Sequence, residues 1–414
     1  MTKRIIALFI MSMLVFGCQT SQATNEKTVL LPIASVSAPA HQQTLHQIGI
    51  RSNSDGRSEF FNRETGEAYI PRGYNYTHVM PLAEPCSVTD FTYHSTFNKG
   101  VYDSAEAEAM LSALQEAQYN VVRIFLNPEC MTKLDGDLRP AYFANLADFL
   151  RLAQTYSQYV IVTLDMIPST RYGEPIQKEE DIWWHNAQYL YADEIALEKT
   201  FWQDFIAALR SQNATLETIL AYELRNEFYF HPEFPPLTDV EGKVTIANGQ
   251  TYDMSLSADK ERMVEESFVF WSSQIRDAIR ESAPTALVTV GFFAPEPFGT
   301  PSRTAIFDSE LDFVDLHMYP QADVVQADYV DYFGLNEQPN KLLVMGEYGV
   351  VEGDETLDEA ADKLQKWQRE SCQQNISGWL IWTWTTKEGA ELSIPDDNTL
   401  FNAMSPVTRP DQCG

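Results

Sequence analysis

The sequence predicts an α/β fold, a (β/α)8 barrel formed by residues 46–414 as a single domain. Short runs rich in β-branched and aromatic residues alternate with amphipathic segments of helical length, which is typical of parallel βαβ units. Eight such runs are present, and this number favours a closed barrel over an open doubly wound sheet. They are residues 70–76, 120–126, 159–166, 219–226, 287–293, 314–319, 342–349 and 378–384.

The segments between these runs have the lengths of helices and of active-site loops. Helices are predicted at residues 104–118, 140–156, 199–211, 259–281 and 357–374. Long insertions follow strands one, three and four, at residues 77–103, 167–198 and 228–258, the last with a hairpin around Asn248-Gly249. Loops after the strands build the catalytic face of such barrels. Residues 59–69, ahead of the first strand, predict a β-hairpin that plugs the opposite end.

Residues 1–18 have the features of a signal peptide, because Thr2-Lys3-Arg4 precede an apolar run that is too short for a membrane span. The run ends at Cys18 in a pattern that resembles the lipobox of bacterial lipoproteins, which implies lipidation of Cys18. An ordinary signal peptide is the alternative. Gln19 favours an anchor in the outer membrane of a Gram-negative cell, and residues 19–45 lack an apolar period and predict a flexible tether.

Four cysteines remain after Cys18, namely Cys86, Cys130, Cys372 and Cys413. An even number in an oxidising compartment predicts two disulfide bonds, for which three pairings are possible. We favour Cys86 with Cys130 and Cys372 with Cys413. A metal site is the alternative, but no CxxC or His-rich spacing accompanies these cysteines, so we expect no metal.

The chain is strongly acidic, with 29 Lys and Arg against 59 Asp and Glu and a formal net charge of −30. Such a surface repels nucleic acid and anionic membranes at long range, so we expect neither as a direct partner. Attachment to a membrane is expected through the N-terminal lipid alone. The same charge argues against a polyanionic substrate and favours a neutral glycan.

Two glutamates occur where predicted strands reach the catalytic face. Glu227 closes strand four after Asn226, and Glu347 lies near the end of strand seven. Hydrolysis of a glycoside with retention needs one carboxylic acid to protonate the leaving oxygen and a carboxylate about 5 to 5.5 Å away to attack the anomeric carbon. Either glutamate alone has a plain structural explanation as a solvated strand end, but the pair indicates this chemistry.

The pair Asn226-Glu227 with Glu347 resembles the clan A glycoside hydrolases, and most closely family 5, the cellulase and mannanase family. The resemblance implies that Glu227 is the acid/base and Glu347 the nucleophile, with no metal or organic cofactor. It extends from residue 70 to residue 384. The supporting residues that it implies are Arg123 beside the nucleophile, Asn226 on the sugar 2-hydroxyl, His317 near the acid/base, Tyr319 near the nucleophile, and Trp382 as the aromatic platform.

Several of these residues could have a structural role instead. Arg123 could pair with Glu223 or Asp165 inside the barrel, and His317 could be a satisfied core histidine. Trp384 is the rival of Trp382, and Asn75 is a weaker candidate for substrate contact. Aromatic residues in the loops after strands three, four and five would either stack on sugars or pack on the barrel rim; they are Trp183, Trp184, Tyr189, Tyr191, Phe228, Tyr229, Phe230, Phe292, Phe293 and Phe298.

One departure from the family pattern concerns strand three. Typical family 5 members have a histidine just after this strand, whereas this sequence continues Asp165-Met166-Ile167. Asp165 or His185 could occupy the vacant space. The resemblance still implies a retaining hydrolase, and we expect it to act on a neutral β-glucan or β-mannan. The alternatives are a glycan-binding surface lipoprotein without activity and a transglycosylase. We expect a monomer.

Overall fold

The structure is a computed structural model, and it describes residues 45–78, 94–133, 135–168, 171–172, 184–293, 306, 308–319, 341–349, 356–384 and 398–413. All of them belong to one compact unit, Gln42–Gly414. Cys18, Cys86, Trp183, Phe298, the predicted signal peptide and most of the predicted tether lie outside the described residues. Among the described helices, none is long and apolar enough to cross a membrane.

The strands and helices alternate along the chain as the sequence predicts. The strands are β1 (Ile48–Ser52), β2 (Ser58–Asn62), β3 (Ala68–Tyr69), β4 (Arg72–Tyr76), β5 (Val121–Leu126), β6 (Tyr159–Leu164), β7 (Ile219–Glu223), β8 (Lys243–Thr245), β9 (Thr251–Asp253), β10 (Leu287–Thr289), β11 (Gly291–Phe292), β12 (Val314–His317), β13 (Leu343–Tyr348) and β14 (Ile376–Trp384). The helices are α1 (Ser104–Glu116), α2 (Pro128–Met131), α3 (Pro140–Thr155), α4 (Trp184–Leu190), α5 (Ala192–Ser211), α6 (Ser257–Ser282), α7 (Leu357–Cys372) and α8 (Thr399–Met404).

Parallel strands form the closed (β/α)8 barrel that the sequence predicts. The sheet runs in the order β10-β7-β6-β5-β4-β14-β13-β12-β11. Segments β10 and β11 are two halves of one strand, separated by Val290 alone, and they pair with β7 and β12 respectively. The fifth strand therefore closes the circle, which leaves no unpaired sheet edge in the barrel.

Alternation along the strands separates the helix-facing core from the barrel interior. All six residues of β5 and all six of β6 are buried, as expected for strands covered on both faces. Val122, Ile124 and Leu126 pack in the large core cluster beneath the helices. The intervening positions point inward. Arg123 thus stands inside the barrel, where it contacts buried polar groups.

The N-terminal segment closes the bottom of the barrel. Residues 59–69 form the predicted hairpin as β2 and β3, and Gly66 adopts a φ of +73° in its turn, a conformation that favours glycine. Phe60 packs edge-on against Phe313 with ring centroids 5.3 Å apart. A further strand, β1, pairs with β2 and was not predicted, because only two of its five residues, Ile48 and Ile50, are large apolar residues, too few to establish a strand period.

The one large error in a helix boundary is at α5, which begins at Ala192 rather than at residue 199. Its first two turns include the buried acidic residues Glu194 and Glu198. Glu198 accepts hydrogen bonds from Arg225 and from the indole of Trp271. A buried charge satisfied in this way interrupts the apolar period on which the sequence-based boundary depends. The predicted hairpin around Asn248-Gly249 is confirmed as β8 and β9.

The predicted disulfide bond between Cys372 and Cys413 is present and joins the end of α7 to the C-terminal segment. Cys130 is also disulfide-bonded. Its predicted partner, Cys86, lies outside the described residues, so that pairing stays a prediction.

Removing the Cys372–Cys413 bond should destabilise the domain without changing its active site. The two cysteines are 41 residues apart in sequence. Closing a loop of this length is expected to stabilise the fold by about 4 kcal/mol, and measured values are typically about 2–5 kcal/mol. Denaturant unfolding of the Cys372→Ser/Cys413→Ser variant measures the loss, with activity at 25 °C as the control. An unchanged unfolding midpoint, with mass spectrometry confirming the wild-type disulfide, would contradict this prediction.

Candidate active site

Both predicted catalytic glutamates lie at the carboxyl ends of the barrel strands. Glu347 is part of β13, and Glu227 follows β7 by four residues. One carboxylate oxygen of each glutamate and a ring nitrogen of His317 all lie within 4.8 Å of one another. The Glu227 side chain is 34% exposed and that of Glu347 only 5%, so the two carboxylates share a site but have different surroundings.

Arg123 lies at the centre of the site and is fully buried. Its Nε donates to Glu223 Oε2 at 2.6 Å, and its Nη1 donates to Glu347 Oε1 at 2.5 Å. The remaining donors reach Asn75 Oδ1 at 2.9 Å and Asn226 Oδ1 at 2.7 Å. Burial alone would lower the pKa of Arg123, but the nearby carboxylates raise it overall. The guanidinium therefore holds the ends of several strands in one geometry.

Glu347 is surrounded by hydrogen-bond donors. Besides Arg123 on Oε1, it receives the hydroxyl of Tyr319 on Oε2 at 2.7 Å, and His317 Nδ1 lies 3.7 Å from Oε1. Donors on both oxygens stabilise a negatively charged carboxylate. The pKa of the Tyr319 hydroxyl is raised by burial and by the charge of Glu347, so Tyr319 remains a donor at neutral pH.

Glu227 has the opposite environment. Burial raises its pKa to about 7, with further increases from the charges of Asp165 and Glu223 against a decrease from Arg123. His317 Nδ1 lies 3.0 Å from Glu227 Oε1. Burial lowers the pKa of His317 to about 4, so this imidazole is neutral at neutral pH and adds no positive charge that would ionise Glu227. Glu227 can therefore hold a proton under conditions in which a typical glutamate has lost it.

The two asparagines of the site, Asn75 and Asn226, differ in whether a polar side-chain group is left to bind substrate. Asn75 is fully buried, and its amide donates to the Gly346 carbonyl at 2.8 Å while its oxygen accepts from Arg123. It is therefore a structural support, which is a correction to its candidacy for substrate contact. Asn226 is partly exposed, and its side-chain oxygen accepts a hydrogen bond from Arg123. This bond fixes the orientation of the side chain, so its NH2 group is left to bind other partners.

The structure separates the two candidate platform residues. Trp384 packs edge-on against Tyr74 and Phe401, with ring centroids 6.2 Å and 5.6 Å away, in the core between barrel and helices. Trp382 is partly exposed and lies edge-on against Phe125, at 5.5 Å, whose ring in turn contacts the Arg123 guanidinium at 4.6 Å. Trp382 is the tryptophan of β14 that borders the site. The peptide bond between Trp382 and Thr383 is cis.

Two buried carboxylates below the glutamate pair were not among the predicted site residues. Glu223 accepts from Arg123 and from the Thr163 hydroxyl at 2.7 Å. Asp315 lies 3.8 Å from Arg123 Nε, and its pKa is raised well above the usual range, first by burial and then by the charge of Glu223. The sequence did contain a signal for Asp315, because a charged residue within an apolar barrel strand is unusual. By this criterion Asp315 in β12 was as recognisable as Arg123 in β5.

Close packing supports this arrangement. A Cβ atom added at Gly346 would lie 2.0 Å from Asp315 Oδ1, and one added at Gly291 would lie 2.9 Å from His317 Nε2. Both glycines thus allow buried polar side chains to approach the backbone. Glu223, Asp315 and His317 have the ligand types of a metal site, as do Glu227, His317 and Glu347. In both groups Arg123 already places a positive charge against the carboxylates.

Most of the loop aromatics that the structure describes pack against the barrel. Tyr189, Phe228 and Phe230 are buried around Trp271, so they form the rim and do not provide a sugar-stacking surface. Phe293 is 45% exposed, with its ring centroid 6.3 Å from that of Tyr319. Tyr229 is partly exposed too, and the nearby charges of Glu227 and Asp165 contribute to raising its pKa, so both aromatics border the site.

Comparisons with known proteins agree with the fold. The family model of cellulase (glycosyl hydrolase family 5) matches residues 82–388. A comparison with curated proteins found no match.

Solved structures of similar fold include the β-mannanase of the blue mussel Mytilus edulis, with a TM-score of 0.54 and 15% identity over 89% of this chain and 98% of that chain. A glycoside hydrolase family 5 mannosidase from Rhizomucor miehei gives a TM-score of 0.54 and 16% identity over 86% and 95%. A hyperthermostable endocellulase gives 0.52 and 17% over 88% and 100%. The structural similarity to these proteins shows the fold, and the match to the family model shows the family. The chain belongs to glycosyl hydrolase family 5 and is a glycosidase.

Proposed function

We propose that this protein is a retaining glycoside hydrolase that cleaves β-glycosidic bonds of a neutral polysaccharide, with Glu347 as nucleophile and Glu227 as acid/base. The observation that carries the proposal is the unequal environment of the two glutamates. Glu347 receives hydrogen bonds from Arg123 and Tyr319, whereas burial raises the pKa of Glu227 to about 7. Two close carboxylates in different surroundings, one of them able to keep its proton, are what double displacement requires.

In the first step Glu347 attacks the anomeric carbon while the bond from that carbon to the leaving oxygen breaks. The proton of Glu227 passes to the leaving oxygen, which departs as a hydroxyl group. The sugar is then joined to Glu347 as an ester. In the second step a water molecule gives a proton to Glu227 and its oxygen bonds to the anomeric carbon, which frees Glu347 as a carboxylate. Two inversions restore the original configuration.

The distance between the carboxylates supports retention over inversion. Inverting enzymes keep their carboxyl groups about 6.5–9.5 Å apart to leave room for a water molecule, and retaining enzymes about 5–5.5 Å. Here an oxygen of Glu227 and an oxygen of Glu347 approach within 4.8 Å. In this scheme Asn226 binds the 2-hydroxyl of the sugar, and Trp382 packs against its C–H face.

For the substrate we propose a β-glucan or a β-mannan attacked internally. The net charge of −30 favours a neutral polymer over an acidic one. The similar solved structures include a β-mannanase, a mannosidase and an endocellulase, so mannan and β-1,4-glucan are the first polymers to test.

The test is hydrolysis by the purified mature protein of β-1,4-glucan, β-1,3-glucan, mannan, xylan and an acidic polysaccharide, with products resolved by length. NMR of the first product identifies its anomeric configuration. The Glu227→Gln/Glu347→Gln double variant is the control. Cleavage of one neutral polymer to a β-configured product supports the proposal. Binding without cleavage would favour the glycan-binding alternative, and products longer than the substrate would favour a transglycosylase.

The pH profile should report the raised pKa of Glu227. Because the protonated acid is the active form, kcat/KM on an unactivated substrate should be highest below the pKa of about 7 and fall about tenfold per pH unit above it. A 2,4-dinitrophenyl glycoside, whose leaving group needs no proton, is the control and should lack this alkaline decline in its first step. A decline that begins near pH 4.5, the ordinary value for glutamate, would contradict the assignment.

We further propose that the mature protein is a monomer held by a lipid on Cys18 in the outer membrane of a Gram-negative cell. The support is the sequence of residues 1–18 and the tether-like composition of residues 19–45. Mass spectrometry of the N-terminal peptide from membrane fractions tests the lipid, with Cys18→Ser as the control. Light scattering of the barrel domain tests the oligomeric state.

A further inference from the structure

A histidine from the loop after β4 lies against Asp165, the residue that directly follows β6. His94 lies in the segment after β4, near the end of the predicted insertion, and its side chain is 2% exposed. Its Nε2 is 2.6 Å from Asp165 Oδ2, and its Nδ1 is 3.1 Å from the Thr77 hydroxyl. The imidazole also stacks on Phe125, with ring centroids 4.5 Å apart. Three contacts therefore hold His94 in one orientation against Asp165.

Asp165 belongs to the same layer of the barrel mouth as the catalytic machinery. It directly follows Leu164, whose carbonyl accepts the backbone N–H of Asn226 at 3.0 Å. In β6 the side chain of Thr163 points into the barrel, where its hydroxyl donates to Glu223. Alternation then directs Asp165 inward one layer higher, beside Asn226 and Glu227. Consistently, its charge is the largest single charge that raises the pKa of Glu227.

The contact with His94 engages only one of the two oxygens of the Asp165 carboxylate. Oδ2 is taken by His94, and Oδ1 has no hydrogen-bond partner among the described residues. The side chain is 20% exposed, which is more than the 5% of Glu347. Burial would raise the pKa of Asp165, but the contact with His94 and the charge of Arg123 lower it overall, so the group is ionised. An ionised carboxylate accepts hydrogen bonds only, and the hydroxyls of a sugar are the matching donors.

We propose that Asp165, oriented by His94, binds a hydroxyl group of the sugar that reacts with Glu347, and so determines which sugar the enzyme accepts at that position. This inference rests on the proposed glycosidase function. Asp165 contacts substrate in this scheme, whereas His94 is a positioning residue that acts through it. Because His94 holds it from the neighbouring loop, the Asp165 carboxylate presents an acceptor of fixed direction.

The experiment uses 2,4-dinitrophenyl β-cellobioside and 2,4-dinitrophenyl β-mannobioside, and versions of each that lack one hydroxyl at C2, C3 or C6 of the reacting sugar. The activated leaving group removes the requirement for a proton from Glu227, so an indirect effect of Asp165 on that proton is absent. Asp165→Asn is compared with wild type in kcat/KM. Asp148→Asn is the matched control, because Asp148 is a similarly exposed carboxylate, at 23%, that bonds Tyr102 and Ser104 outside the site.

We expect Asp165→Asn to lower kcat/KM on the parent glycoside about 10- to 100-fold, the effect of one hydrogen bond to a charged group. One deoxy glycoside should lack the hydroxyl that Asp165 binds. On that substrate the kcat/KM values of wild type and of Asp165→Asn should agree within about threefold, because the interaction that the variant loses is absent in both cases. His94→Gln should show the same selective loss to a smaller extent. These ratios between substrates do not depend on the folded fraction, so a destabilised variant remains informative.

A loss of equal size on the parent and on all three deoxy glycosides would overturn the proposal, since it would indicate a general distortion of the site. An Asp165→Asn variant as active as wild type would overturn it too. In both cases an active wild type leaves the glycosidase function standing. A wild type that cleaves none of these glycosides and no polymer would contradict the proposed function, and this inference with it.

Discussion

Glu347→Ala should lower kcat by roughly five orders of magnitude while the barrel stays folded, which is the expected loss when an enzyme loses its nucleophile. The fold should persist because Arg123 keeps its 2.6 Å hydrogen bond to Glu223 and its bonds to both asparagines. The substitution removes the carboxylate that accepts from Tyr319 and Arg123 and leaves a space beside the anomeric carbon. The measurement is kcat on an activated aryl glycoside, together with a melting curve.

Small anions distinguish loss of the nucleophile from general damage. Azide can enter the vacated space in Glu347→Ala and attack the anomeric carbon once, so the product should be the α-glycosyl azide, with inverted configuration. Glu370→Ala is the matched control, because Glu370 is 52% exposed on α7 and pairs only with Lys366 among the ion pairs of the described residues. A variant with an ordinary rate, or one whose azide product is β-configured, would exclude Glu347 as the nucleophile.

Glu227→Ala should slow hydrolysis of unactivated substrates by about 10²- to 10⁴-fold, the usual contribution of a general acid. With a 2,4-dinitrophenyl glycoside the first step needs no proton, so the glycosyl-enzyme should accumulate and give a burst of dinitrophenol. The second step remains slow because no base activates water. Stopped-flow absorbance measures the burst, and mass spectrometry measures the sugar on Glu347.

Azide should also restore turnover of Glu227→Ala, but the azide product should have the opposite anomeric configuration to that of Glu347→Ala. It replaces water in the second step, which follows one inversion at Glu347, so the product should be the β-glycosyl azide. The alkaline decline that reflects the pKa of about 7 should also disappear, since the titrating group is gone. If that decline persisted, or if kcat/KM fell equally on activated and unactivated substrates, the acid role would belong to another residue.

Much of the fold was predictable because the barrel imposes regular patterns on the chain. Every predicted barrel strand overlaps an observed one, and the predicted bottom hairpin is confirmed. The chain also places Glu227 and Glu347 at strand ends, where parallel topology brings side chains of distant sequence position to one face. The resemblance to family 5 implied Arg123, His317 and Tyr319 as supporting residues, and the structure brings all three against the glutamates.

Other features depend on contacts between segments that no local pattern records. Trp382 and Trp384 are two residues apart and chemically identical, and only the packing of Trp384 against Phe401 of α8 separates their roles. Likewise Tyr189, Phe228 and Phe230 have the composition of a sugar-binding surface, but they pack against one another, and Trp271 of α6 packs against Tyr189 and Phe228. Aromatic side chains gain from burial and from stacking on a ligand alike, so their sequence does not distinguish the two.

By itself the sequence determined the barrel and the carboxylate pair, because strand period and strand-end position are local properties, and its even cysteine count indicated disulfide bonds without fixing their pairing. Only the tertiary structure decided that His94 takes the space beside Asp165 and that Arg123 binds Glu223 and Glu347 together. The physical reason is that a residue's pKa, exposure and hydrogen-bond partners depend on atoms from other strands and loops. Those atoms become neighbours only when the barrel closes.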